Sequence, residues 1–255
     1  MVLPMIISQN NMKKLEVKHV SKSFDGKSIL QDISIELNRG ELVCLLGVSG
    51  GGKTTLFNVI SGLLQPDHGE VLLDGENITS QPGHVSYMLQ KDLLLPYRTI
   101  EDNVALPLLL KGVKKKDARL QVSTIFDKFG LDGTQKKYPS QLSGGMRQRA
   151  ALMRTYMFSQ DVALLDEPFS ALDTMTKDSI HKWYLDVMEK IHLSTLFITH
   201  DIDEAILLSD RIYLLSGSPG KIIDEIVIKE PKPRREDFNL TPEFLEYKRR
   251  ILSLL

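Results

Sequence analysis

Residues 47–55 read G-V-S-G-G-G-K-T-T, and that order of residue types suits a polyphosphate. Gly47, Gly50, Gly51 and Gly52 let the chain turn tightly, so that backbone N–H groups there and at Val48 and Ser49 can approach an anion. Lys53 is spaced to reach β- and γ-phosphate oxygens. The Thr54 hydroxyl is spaced to meet Mg2+, and Thr55 offers a second hydroxyl near the α-phosphate. An apolar run at 161–165 ends in Asp166-Glu167-Pro168. A P-loop protein holds its metal with a carboxylate at such a strand end, although Asp-Glu-Pro alone reads equally as an acidic turn. Gln90 closes the run 85–89 at the edge where open α/β sheets bind ligands; a strand cap is the plainer reading. His200 ends the run 194–199, a place where a lone histidine is more often structural. Leu142-Ser143-Gly144-Gly145 is a second serine-glycine turn feeding a helix, hence a second anion site, weak by itself. Phe24 is either an edge-strand aromatic or a face on which a purine stacks.

These groups need strands and helices to bring them together. Residues 42–46 are apolar and precede the glycine loop, and 56–64 are apolar at helical spacing, giving strand, loop and helix. Upstream, 15–20 and 29–37 alternate as half-buried strands around an F-D-G-K turn, with N-R-G as the next turn. With a strand at 70–73 they make a small antiparallel sheet. Residues 91–99 read K-D-L-L-L-P-Y-R-T, three leucines in a loop that are either core or a surface awaiting a partner. From 100 to 158 the pattern is helical. Pro107 kinks or breaks the first segment, 118–129 is a second helix, and a third follows Gly145. Ser170 to Asp173 starts another helix. Asp201 and Glu204 suit a capped helix start, and 211–215 and 221–228 are the last strands. From Lys229 the composition turns charged and proline-bearing. Thr241-Pro242 then opens a helix whose Phe244, Leu245, Ile251 and Leu252 form an apolar face that packs back on the body.

Composition narrows the class. The chain has 255 residues, with 32 Lys and Arg against 33 Asp and Glu, a net charge of −1. That balance gives no support for a nucleic-acid or anionic-membrane surface. The single cysteine, Cys44, lies in the apolar run before the loop and reads as a buried small residue. No apolar run reaches the roughly 18 residues of a membrane span. Residues 1–7 read poorly as a signal peptide, and Met12 is an alternative start to Met1.

Taken together, G-x4-G-K-T, Gln90, L-S-G-G-M-R-Q-R, V-A-L-L-D-E, S-A-L-D and His200 follow one another in an order that resembles the ATP-binding cassette ATPases of transporters, over about residues 15–228. The resemblance implies an α/β fold. It has a RecA-like P-loop NTPase core of mostly parallel sheet, an antiparallel β subdomain, and a helical subdomain inserted at about 92–158. The cassette would span 13–228, with 229–255 as a C-terminal arm and helix. Phe24 is then the adenine-stacking aromatic, and Gly47 to Thr55 hold the phosphates of ATP. Thr54, Gln90 and Asp166 attend Mg2+, and Glu167 is the general base for water. Lys53, Gln90 and His200 act beside the γ-phosphate, and Ser143, Gly144 and Gly145 form the family signature. Met146 departs from it, since glutamine is commoner there. Asp173 belongs to the loop that crosses to a second ATPase subunit.

The stretches L-L-P-Y-R-T-I-E-D-N-V-A-L, T-H-D-I-D-E-A and P-R-R-E-D-F resemble importers of the nitrate, sulfonate and taurine type, whose relatives include importers of thiamine-precursor pyrimidines. This implies transmembrane permease subunits as partners, docked by residues 93–98. It also implies an extracytoplasmic solute-binding protein acting indirectly, no nucleic acid, and a peripheral place on the cytoplasmic face of a bacterial membrane. Three other readings are weaker. A soluble cassette coupled to nucleic acid or translation usually carries coiled coils or tandem cassettes. A non-hydrolysing regulator is at odds with having both Glu167 and His200. A P-loop kinase lacks L-S-G-G and S-A-L-D.

Overall fold

A computed structural model describes residues 13–159, 161–170, 174–232, 234–235 and 237–255. The chain opens with two long antiparallel strands, β1 (Lys13–Phe24) and β2 (Lys27–Asn38). Their turn is Asp25-Gly26, with φ of 48° and 77°, the two-residue geometry that matches strand twist. Next come β3 (Leu42–Gly47), α1 (Lys53–Ile60), β4 (His68–Leu73), β5 (Glu76–Asn77) and β6 (Ser86–Met88). Four helices lead on to β7 (Val162–Asp166): α2 (Ile100–Val104), α3 (Leu106–Leu110), α4 (Lys115–Ser123) and α5 (Gly144–Phe158). They are followed by α6 (Thr174–Ile191), β8 (Ser194–Thr199), α7 (Ile202–Leu208), β9 (Arg211–Ser216), β10 (Lys221–Val227) and α8 (Pro242–Leu254).

One sheet is antiparallel, in the order β2-β1-β4-β5. The other runs β10-β9-β3-β8-β7-β6 and is parallel except for β10. Both faces of the larger sheet are covered, which is why β3 and β7 read as apolar runs up to their last residue and β8 buries Leu196, Phe197 and Ile198 between buried Ser and Thr residues. Along β3, Leu42, Cys44 and Leu46 enter one core with α5, α6 and α7, while Val43 and Leu45 enter the other with α1 and the antiparallel sheet. The alternation is the period-2 geometry of a strand.

Register places the chemistry. Leu46 pairs with Thr199, Ile198 with Asp166, and Leu165 with Met88. Four parallel strands therefore end level, and Gly47, His200, Asp166 with Glu167, and Gln90 emerge along one edge of the sheet.

Several local expectations need correcting. α1 ends at Ile60 rather than 64, because Gly62 turns at φ +77° and a Cβ there would lie 2.5 Å from the Gln81 carbonyl oxygen. The segment around Pro107 is two helices joined at Ala105. α4 stops at Ser123 rather than 129, where the Ser123 and Thr124 hydroxyls donate back to the carbonyls of Leu120 and Gln121, both at 2.8 Å. Of the three leucines before Pro96, Leu94 is buried and Leu93 and Leu95 are exposed. On α8 only Phe244 and Ile251 are buried; Leu245 and Leu252 face solvent. Asp173 lies outside the described residues. Among those described, no helix is long and apolar enough to cross a membrane.

Candidate nucleotide site

The loop after β3 is shaped by what surrounds it. Gly47 lies so close to β9 that a Cβ would stand 2.3 Å from the Leu215 carbonyl oxygen. Gly52, the residue before α1, has φ +93°, a conformation that glycine alone adopts cheaply. Lys53 is buried, and its ammonium donates to the carbonyls of Gly47 and Val48, each at 2.8 Å. Burial lowers its pKa from the ordinary 10.5, against the charges of Glu167 and Asp166. Among the described residues the hydrogen bonds of Lys53 go to neutral carbonyls of its own loop, partners that an entering anion can replace. The loop opens on a cleft of about 370 Å3 lined by Ser49, Gly50, Gly52, Lys53, Thr54 and Thr55, and also by Phe24, Ile29, Asp166 and Glu167. The Phe24 ring is 45% exposed, and the Lys22 ammonium lies 5.4 Å from its centroid.

Opposite the loop stand the carboxylates. Asp166 Oδ2 accepts from the Thr54 hydroxyl at 3.1 Å. Burial raises the Asp166 pKa above 3.8, the Thr54 bond and Lys53 charge oppose this, and Glu167 adds to it. Glu167 has φ +46°, a left-handed backbone that costs a non-glycine residue about 1–3 kcal/mol. Three bonds hold it there. Its N–H donates to the Ile198 carbonyl at 3.0 Å, and its own carbonyl accepts from the Ser170 N–H at 3.2 Å and hydroxyl at 3.1 Å. Gln90 Nε2 donates to Glu167 Oε2 at 2.9 Å, and His200 Nδ1 lies 3.3 Å from Oε1. The Glu167 side chain is 16% exposed and that of His200 54%, so the histidine remains open to a ligand.

Ser143, Gly144 and Gly145 do not line this cleft. They form the start of α5, where the Ser143 hydroxyl accepts from the Met146 N–H at 3.3 Å. Ser143 and Gly144 are exposed, which leaves the positive end of a 15-residue helix facing outward. α5 also grips the segment after Gln90. Arg147 Nε donates to Asp92 Oδ2 at 3.2 Å, and Arg154 donates to the carbonyls of Leu93 and Asp92 at 2.8 and 2.5 Å.

Some of these residues went unread in the sequence. Arg147 and Arg154 stand seven apart, two turns along one helix face, a spacing that could have flagged them. Ser170 reads as a helix start and as part of S-A-L-D, and its bonds to the Glu167 carbonyl carried no signal in the sequence. Ile29 and Tyr87 carried none. Burial first and the Asp166 charge second push the Tyr87 phenol above its ordinary value.

The chain matches the ABC transporter family over residues 30–170. It is 40% identical over 240 residues to the formylaminopyrimidine import ATP-binding protein ThiZ of Halalkalibacterium halodurans, covering 94% of this chain and 93% of that one. It is 37% identical over 251 residues to the nitrate import ATP-binding protein NrtD of Synechocystis sp., covering 94% of each. Among solved structures, a dimeric ATP-binding cassette in a post-hydrolysis state with ADP and Pi is 27% identical, with a TM-score of 0.70 over 84% of this chain and 99% of that one. The fold, the phosphate loop and the glutamate beside it thus belong to a sequence similar to import ATP-binding proteins over most of its length, and the chain belongs to the ABC transporter family as one of its ATP-binding, ATP-hydrolysing cassettes.

Proposed function

We propose that this cassette powers a bacterial importer of a small solute, hydrolysing ATP in sites that two copies complete. The observation that carries the reading is the convergence of Gln90 and His200 on Glu167, beside the Thr54–Asp166 pair and the Lys53 loop. Relatives named for formylaminopyrimidine and nitrate import support the importer class. The solute belongs to that range: nitrate, a sulfonate such as taurine, or a thiamine-precursor pyrimidine.

In this reading the adenine stacks on Phe24 and the phosphates enter the loop. Lys53 leaves the Gly47 and Val48 carbonyls for the β- and γ-phosphate oxygens. The Thr54 hydroxyl and Asp166 carboxylate, with Gln90 nearby, offer the few hard oxygen ligands that Mg2+ takes from a protein. Among the described residues no group of three or more His, Cys, Asp or Glu could hold a metal ion unaided, which fits an ion that arrives with the nucleotide. When bound, Mg2+ neutralises charge on the phosphate oxygens. Glu167 accepts the proton of the attacking water, Gln90 orients that water, and His200 faces the γ-phosphate. Ser143 to Gly145 of one copy close over the ATP of the other, with twofold symmetry. ATP binding draws the pair together and hydrolysis releases it.

Residues 92–158 act as a helical lobe inserted in the 13–228 cassette, and 229–255 as an arm. The exposed side chains of Leu93, Leu95 and Tyr97 meet the permease subunits. A binding protein delivers solute from outside, and the cassette is held peripherally on the cytoplasmic face. The test is ATP turnover by the purified chain with Mg2+, together with capture of its partners from membranes. A chain with no turnover, or one that recovers no membrane-spanning partner, contradicts the proposal.

A further inference from the structure

Behind His200 lies a second polar cluster, none of whose members has a role in the reaction proposed above. Thr199, His181 and Glu204 are 2%, 9% and 3% exposed. Glu204 is the third residue of α7, where its spacing from Asp201 predicts a side chain folded back onto the Asp201 N–H. It turns inward instead. Its Oε1 accepts from His181 Nε2 on α6 at 3.0 Å, and its Oε2 accepts from the Thr199 hydroxyl. Thr199 Oγ1 in turn accepts the Asp201 N–H at 3.0 Å. Both residues flanking His200 are therefore tied to one buried carboxylate. On its other side the His181 ring meets Phe169 edge to face, with centroids 4.9 Å apart and planes at 77°. Phe169 is two residues beyond Glu167 in sequence.

A buried carboxylate is costly unless its oxygens are filled. Once filled, the network admits one geometry, because any other leaves a buried group unpaired. Here that geometry joins the two loops presenting Glu167 and His200. We infer that His181, Glu204 and Thr199 are positioning residues that set where His200 stands against Glu167, acting on turnover without touching nucleotide. The inference rests on the roles proposed above for those two residues.

The test compares His181→Leu, His181→Gln and His200→Ala for ATP turnover and nucleotide affinity. His181→Leu should lower kcat by about 10²-fold, the scale of a misplaced catalytic group, with nucleotide affinity unchanged. His181→Gln, whose amide N–H can make the same bond to Glu204, should restore most of the rate. In a His200→Ala background, His181→Leu should have no further effect, because both act through one group. Thr199→Val keeps the shape, removes both bonds and should repeat the pattern, which covers the case in which His181→Leu does not fold. Wild-type turnover in His181→Leu or Thr199→Val overturns the inference. So does a loss that multiplies with that of His200→Ala, or an affinity that falls in step with kcat. If His200→Ala itself turns over normally, the role of His200 fails as well; if it is slow while His181→Leu and Thr199→Val are not, the inference alone fails.

Discussion

Gln90 Nε2 donates to Glu167 Oε2 at 2.9 Å across 77 residues of sequence. The same backbone segment continues through Asp92 and Leu93, which Arg147 and Arg154 fasten to α5, to Tyr97, which is 94% exposed. One continuous piece of chain thus runs from Gln90, bonded to the glutamate, to an outward aromatic, and a push on that aromatic has a short path to the site.

The exposed end of that path should be where the membrane subunits bind. Replacing Leu93 and Tyr97 together by serine should cost about 2 kcal/mol of association, roughly 30-fold in Kd, as for an aromatic anchor. Nucleotide binding should be unaffected. Co-purification of permease subunits measures this, and undiminished recovery would remove residues 93–98 from the interface. Leu94 is the wrong target, since it is buried.

Asp201 caps α7, accepting from the N–H groups of Asp203 and Glu204 at 3.0 and 3.2 Å. Asp201→Ala should cost about 1 kcal/mol at neutral pH, read as a lower urea midpoint. Burial alone would raise the Asp201 pKa, but the backbone bonds and the Lys177 charge outweigh it and hold the group below 3.8. A carboxyl whose folded value lies below its unfolded one contributes stability that is present above the unfolded value and lost as pH falls through the folded one. The difference between wild type and Asp201→Asn should therefore shrink below about pH 4. A difference that stays constant down to pH 2 would show that the cap carries no such linkage.

Arg234 ties the arm to the end of α7. Its guanidinium donates to the carbonyls of Leu207 at 2.9 Å and Ser209 at 2.6 Å and lies 5.7 Å from the Phe238 ring centroid. Burial lowers its pKa to about 10, so it stays charged at neutral pH, as a helix C-terminus favours. Arg234→Ala strands two carbonyls and should cost about 1–3 kcal/mol, roughly 2–4 °C of melting temperature for each. Arg234→Lys should rescue little, because a single ammonium lacks the fork. Melting curves identical to wild type would make the arm dispensable to the fold.

Much of this was legible in the sequence for a physical reason. Strands buried on both faces are dominated by apolar residues, so β3 and β7 show as runs and β8 shows as Leu196 to Ile198 flanked by Ser and Thr. Their ends are level in register, so the residues that close them, Gly47 at the start of the loop, Asp166, and His200 after Thr199, fall along one edge. What local pattern cannot show is the direction in which a side chain turns once elements pack. Leucines 93–95 read as a single apolar knob, yet only Leu94 is turned inward. Asp201 and Glu204 look like a local capping pair, and packing against α6 draws Glu204 away. Nor does spacing reveal that Lys53 rests on the carbonyls of its own loop. Ser143 to Gly145 look like a phosphate site and lie off the cleft of their own chain; in the proposed function it is a second copy that brings them to a nucleotide.

In the proposed reaction Glu167 is the base that activates water. ATP turnover by Glu167→Gln tests it most directly, because the amide keeps the shape and the bond partners but cannot take a proton. The mutant should bind ATP as wild type does, hydrolyse it about 10²–10⁴-fold more slowly, and accumulate as an ATP-bound dimer. Turnover at the wild-type rate would show that Glu167 is not the base.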